Sequence, residues 1–353
     1  MKNVKFDKED TGKFFLYENE NGDSDRFEYR FSTDNLWNPL DPNDFIVEIL
    51  INPFLNNERN VYALLDSSMG GKRVGYLFPI SVLDSDADFS DHKLLNNYVY
   101  VAFNVLLKRI PSVNKTTCFS DNFEENVCVC VFHKASLQTE SPLPNIIHNL
   151  RQFGYSYFEP YNQVRMVKGY DALSYQKDIK SGICVRFNEP PLYQNAMIDS
   201  ILRALPRADN LTHRFVLLYQ VIEVLLEEIS SNDIKEEILK FNKEQIPSND
   251  FIENIKRLSS ERIKIQDIFE RCSLYNTKET TMFKECCSHL FDLTRYEPSK
   301  TQIQDLFYSF RNQMTHSYRN LYVFEKELAE TIQAFELLVL KIIEKYPYKI
   351  DTK

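Results

Sequence analysis

The chain has 353 residues, 43% of them hydrophobic and 26% charged, which exceeds one ordinary domain and provides enough apolar material for a buried core. A net charge of −9 argues against nonspecific binding of nucleic acid over a broad basic surface, while leaving room for a small recessed site that cuts one structured RNA. No apolar run approaches the roughly 20 residues that span a bilayer, and the N-terminus MKNVKFDKEDTGKFF carries acidic residues and lacks an apolar signal core, so a soluble cytoplasmic protein with no membrane partner is expected.

Up to about residue 190 the sequence reads as β-structure. Short runs rich in aromatic and β-branched residues occur at FFLYEN near Phe14, RFEYRF near Arg26 and FIVEILI near Phe45, separated by Asn, Asp, Gly and Pro. VYALLD and RVGYLFPI flank SSMGGK and predict a hairpin with glycines in its turn. Gly70-Gly71-Lys72 is not a phosphate loop. Asp66 and Arg73 stand where that loop needs Gly and Ser or Thr, and a strand follows rather than a helix. Further strands are expected at NVCVCVF, YSYFE, QVRMVK and ICVRF, with helices near Lys93–Ile110 and Pro144–Phe153. Trp37, in the loop LWNPLDPND, is expected to anchor packing.

The seven cysteines form no Cys-x-x-Cys pair and their number is odd, so reduced thiols are expected rather than a disulfide framework. Cys128 and Cys130 alternate with Val127, Val129 and Val131, which suits small core residues of a strand. Cys286, Cys287 and His289 lie close together but lack a matching pair of ligands for a structural zinc.

After Pro190-Pro191 the texture becomes helical. Phe215, Leu218, Ile222, Leu225, Leu226 and Ile229 form a stripe at three- and four-residue spacing, with Thr212 as the expected cap. Helices are predicted around Ile234–Phe241, Asp250–Leu258, Ile263–Cys272, Thr280–Leu293, Lys300–Ser317 and Val323–Lys345, with Pro206, Pro247 and Pro298 between them. The expected fold class is α+β: a β-rich domain over residues 1–190, then an all-α bundle over 191–353.

Chemistry is concentrated in the string FYSFRNQMTHSYRNLYVF. Arg311 and Asn312 are followed after three residues by His316, at the junction of the last two long helical patterns. This hexamer, Arg311 to His316, resembles the catalytic motif of HEPN-domain ribonucleases, helical bundles whose late helices carry an Arg, often followed by a polar residue, and a His four to six residues on. The helix RFVLLYQVIEVLLEEI is similar to an early helix of that family with an acid on its buried face, which here would be Glu223.

The resemblance implies RNA cleavage without metal or other cofactor, at a site shared between two copies. A ribose 2′-hydroxyl attacks the adjacent phosphate and leaves a 2′,3′-cyclic phosphate and a 5′-hydroxyl. Histidine titrates near neutrality and suits His316 to acid–base work, while the planar fork of Arg311 suits phosphate oxygens. Asn312 would orient His316 or the phosphate. Geometry points the same way. Asn312 and His316 share a helix face, but Arg311 lies about 140° around from His316, so one copy makes a poor site and a homodimer a better one.

The spacing of Arg and His also occurs at Arg207–His213, and an ordinary helix end with a solvated Arg and a capping His is the alternative reading of 311–316. The layout, a β-rich region before the bundle, is similar to ApeA-type anti-phage proteins. That likeness implies a defence ribonuclease or toxin cutting RNA, such as a tRNA, with the β-rich region sensing a phage-derived trigger. A HEPN bundle can also serve as a non-catalytic dimerisation or binding module for a partner such as a nucleotidyltransferase.

Overall fold

The computed structural model describes residues 3–8, 13–19, 26–30, 40–53, 61–66, 70–84, 94–109, 123–137, 147, 149–158, 170, 182–185, 195–208, 210–298 and 302–347. The fold is α+β, a β-rich N-terminal part followed by an all-helical bundle. Two compact units divide the chain: Met1–Asn162 with Ala172–Phe187, and Gln163–Asp171 with Asn188–Lys353.

In the first unit, β1 (Asn3–Lys8), β2 (Lys13–Asn19) and β3 (Arg26–Arg30) form an antiparallel three-stranded sheet. The strand at Asn3–Lys8 was not expected, although Val4 and Phe6 alternate there with Lys5 and Asp7. A second sheet runs β8-β4-β7-β6-β5-β9, from β4 (Phe45–Ile51), β5 (Tyr62–Asp66), β6 (Lys72–Pro79), β7 (Val127–His133), β8 (Ser156–Tyr157) and β9 (Gly182–Val185). All its pairings are antiparallel except β5 with β9. Period two sorts β7 cleanly: Val127, Val129 and Val131 pack in one core with α1 (Leu95–Arg109), while Cys128, Cys130 and Phe132 enter the other with Ile147 and Leu150. Both faces are covered, so β7 reads as a continuous apolar run.

Gly70 and Gly71 make the β5–β6 turn at φ 64° and 83°, where glycine is unstrained. Residues 147 and 149–151 are helical, within the stretch expected near Pro144–Phe153. QVRMVK, Trp37 and Cys118 lie outside the described residues. Cys128, Cys130, Cys184, Cys272, Cys286 and Cys287 are free thiols.

The helical unit contains α2 (Ala196–Ala204), α3 (Leu211–Asn242), α4 (Ser248–Leu258), α5 (Glu261–Arg271), α6 (Lys278–Thr294), α7 (Ile303–His316), α8 (Tyr318–Tyr322) and α9 (Glu325–Lys345). The cap of α3 is Asn210, not Thr212: its side chain accepts from the His213 backbone N–H at 2.8 Å. The two helices expected on either side of residue 230 are one. The apolar stripe ends at Ile229, but no proline or glycine breaks the backbone, and Ser230 to Asp233 stay helical.

Phe215, Phe283, Phe307, Phe310 and Phe335 interlock at the centre of the bundle, with centroid separations such as 5.4 Å for Phe215–Phe310 and 5.1 Å for Phe307–Phe335. Beside them is a buried ion pair. Arg214 donates from Nε and Nη2 to the two Glu336 oxygens at 2.7 and 2.9 Å, and from Nη1 to the Leu205 carbonyl at 3.1 Å. Tyr170 lays its ring 4.9 Å from that guanidinium and donates its hydroxyl to Glu336.

Candidate functional site

The face that α7 buries fixes the direction of the hexamer. Ile303, Leu306, Phe307, Phe310 and Met314 recur at helical spacing and enter the core. Arg311, Asn312 and Gln313 are therefore half-buried on its flank, and Thr315 and His316 stand exposed at its C-terminal end. The Ser317 backbone N–H donates to the Gln313 carbonyl at 2.9 Å and closes the helix directly after His316.

Arg311 is held from three directions. Nη1 donates to Asn312 Oδ1 at 3.0 Å, Nε lies 3.5 Å from Glu261 Oε1, and the guanidinium carbon sits 5.7 Å from the centre of the Tyr219 ring. Nη2 bonds no described residue, and 26% of the side chain remains exposed. The guanidinium is thus oriented but not used up. Tyr219 in α3 donates its hydroxyl to Glu261 through a short hydrogen bond. Burial, followed by that bond and the Glu261 charge, holds the Tyr219 phenol far above its ordinary range, so it stays a donor.

Glu223 is not on a buried face: it is exposed, one turn along α3 from Tyr219, and acts only as one of the charges around that hydroxyl. The acid in contact with Arg311 is Glu261, the first residue of α5. Its neighbour Arg262 pairs with buried Asp305, so two ion pairs join the start of α5 to α7. No local pattern marks Glu261 or Tyr219, because both reach Arg311 from distant helices.

His316 has no side-chain hydrogen bond or ion pair among the described residues. Along one continuous helix it is a turn beyond Asn312 and about 140° around from Arg311, so a single copy brings Arg311 and Asn312 together but not His316. The second Arg–His spacing forms no cluster: Arg207 and His213 are exposed on either side of the α3 cap. Cys287 is buried, His289 is exposed, and no group of three or more His, Cys, Asp or Glu among the described residues is placed to hold a metal ion. A polar cleft of about 850 Å³ opens between α5, α6 and the start of α7, lined by residues such as Gln266, Lys284 and Gln304, and it contains none of the hexamer.

Comparison of the chain with protein-family models, with curated proteins and with solved structures finds no match.

Proposed function

We propose that the chain is an endoribonuclease of the HEPN type, acting in anti-phage defence or as a toxin, with Arg311, Asn312 and His316 as its catalytic set. The observation that carries this reading is the oriented, partly exposed Arg311 guanidinium, whose Nη2 is unengaged among the described residues, on the same helix as an exposed His316. An arginine so arranged can receive a phosphate oxygen without first being ordered, which is the preorganisation that charge stabilisation needs.

In the reaction, the ribose 2′-hydroxyl attacks the adjacent phosphorus and gives its proton to one His316. Charge growing on the phosphate oxygens falls on Arg311. The 5′-oxygen leaves with a proton from water, yielding the cyclic phosphate and a 5′-hydroxyl. DNA, which lacks the 2′-hydroxyl, is not cut. The angular separation of Arg311 and His316 on one helix is the reason for placing two copies at one site. The β-rich unit would then serve as the sensor, a role that rests on the two-part layout alone.

A second reading is favoured by Glu261, which already neutralises Arg311: a binding module, with a partner such as a nucleotidyltransferase. One experiment separates the two. Wild type and the Arg311→Ala/His316→Ala variant are expressed with and without phage infection, and cellular RNA ends are sequenced for 2′,3′-cyclic phosphates. New ends with wild type alone are expected. Equal ends in both, or none under either condition, would leave the binding module.

A further inference from the structure

Directly after His316 the chain displays a pair of tyrosines. Tyr318 and Tyr322 are four apart on α8, and their ring centres lie 5.9 Å apart at an interplanar angle of 44°. Tyr318 is half-buried and backs its neighbour, while Tyr322 is 56% exposed. The outer ring is therefore braced by a tilted contact with the inner ring, while more than half of its residue stays open to solvent. Arg319 and Asn320 are exposed beside them, and Val323 follows at 76% exposure.

The size of this feature decides what fits it. A stable contact between two proteins needs about 800 Å² from each partner, whereas one tyrosine buries about 150–250 Å². Tyr322 and Val323 together fall well short of a chain–chain interface but match one planar heterocycle. Arg319 adds a cation suited to a backbone phosphate, on a chain whose net charge is −9. Reach is also suitable. Tyr318 is two residues from His316, so their Cα atoms are no more than about 7 Å apart, and Tyr322 lies about 6 Å further along the helix axis.

We infer that Tyr322, propped by Tyr318 and flanked by Arg319, is a subsite that stacks an unpaired base of the RNA next to the scissile phosphate. This inference rests on the ribonuclease reading of Arg311 and His316 and gives it a substrate class: single-stranded or looped RNA, whose bases can splay onto an aromatic face. A base inside a duplex has no free face to offer. Sequence preference is weak at this position, since every base has a stacking surface.

The test uses the full chain and a fluorescein-labelled 2′-O-methyl oligoribonucleotide, which cannot be cleaved because its 2′-oxygen is blocked, read by fluorescence anisotropy. The wild type is expected to bind the single strand more tightly than the matching duplex. Tyr322→Ala weakens single-strand binding about tenfold, Tyr322→Phe keeps it within about twofold, and Arg319→Ala weakens it with a shallower salt dependence. Tyr322 is largely exposed, so its variants fold, and equal helical circular dichroism checks this. Unchanged affinity of Tyr322→Ala, equal binding of duplex and single strand, or no wild-type binding overturns the subsite. So does a change in the size-exclusion mass of Tyr322→Ala, which would mark a contact between copies instead. Because the probe is not cut, ring-dependent binding with no cyclic-phosphate ends in cells would remove the nuclease and keep the subsite. The reverse result would do the opposite.

Discussion

Arg214 and Arg311 each meet a glutamate, but at different depths. The Arg214 and Glu336 side chains are 9% and 6% exposed, and both ends of the fork are used. Removing one partner there strands a buried charge, so Glu336→Ala should lose about 3–5 kcal/mol, read as an earlier loss of helical signal in urea. Arg311 and Glu261 are 26% and 31% exposed with a longer separation, and water already screens them. Glu261→Gln should change stability by less than about 1 kcal/mol. It should tighten binding of an uncleavable RNA several-fold, because the phosphate no longer displaces a carboxylate from Arg311. If RNA binding weakened instead, Glu261 would be aiming Arg311 rather than competing for it. The hexamer was legible in the sequence because its members are neighbours on one helix. Glu261 and Tyr219 were not, because only the packing of α3, α5 and α7 brings them to Arg311.

At the level of elements, legibility followed periodicity. The alternation of β7 identified Cys128 and Cys130 as core thiols, and burial raises both. Where a stripe ends without a breaker, as at Ile229, the sequence suggests a boundary that the backbone does not make, and α3 continues to Asn242. Thr212 and Asn210 could each cap that helix, and Asn210 does so because the helix starts at Leu211, which leaves Thr212 inside its first turn. Gly75 carried no turn signal, yet it sits inside β6, where a Cβ would fall 2.2 Å from the Val131 carbonyl oxygen and 2.8 Å from a Phe132 ring carbon. That oxygen belongs to the paired strand and cannot yield without opening the ladder. Gly75→Ala should therefore destabilise the β-rich unit by about 1–3 kcal/mol. Hydrogen exchange should quicken in peptides from β6 and β7 and stay unchanged in α7; a uniform rate across both would show that the strands absorb the methyl group.

At the scale of the whole molecule, the change from β-rich to helical structure was visible in the texture of the sequence, but the packing of Tyr170 beside Arg214 and Glu336 was not, since no local pattern links residues so far apart. On the proposed ribonuclease reading, the site needs more than one chain. Arg311 and His316 project about 140° apart from one straight helix, and Arg311 is tethered to Glu261 and Asn312 on its own side. For both to touch one phosphate, the histidine must come from the second copy of a two-fold pair, where each surface meets its own image. This arrangement has a consequence that a site within one copy does not share. Arg311→Ala and His316→Ala should each abolish cleavage alone, yet co-expression of the two should restore part of it, because mixed pairs retain one arginine and one histidine facing each other. The readout is the reappearance of cyclic-phosphate RNA ends, with differently tagged copies co-purified to show that mixed pairs formed. Silence despite co-purification would mean that the arginine and histidine act from the same chain, and that α7 must bend or unwind to bring them together.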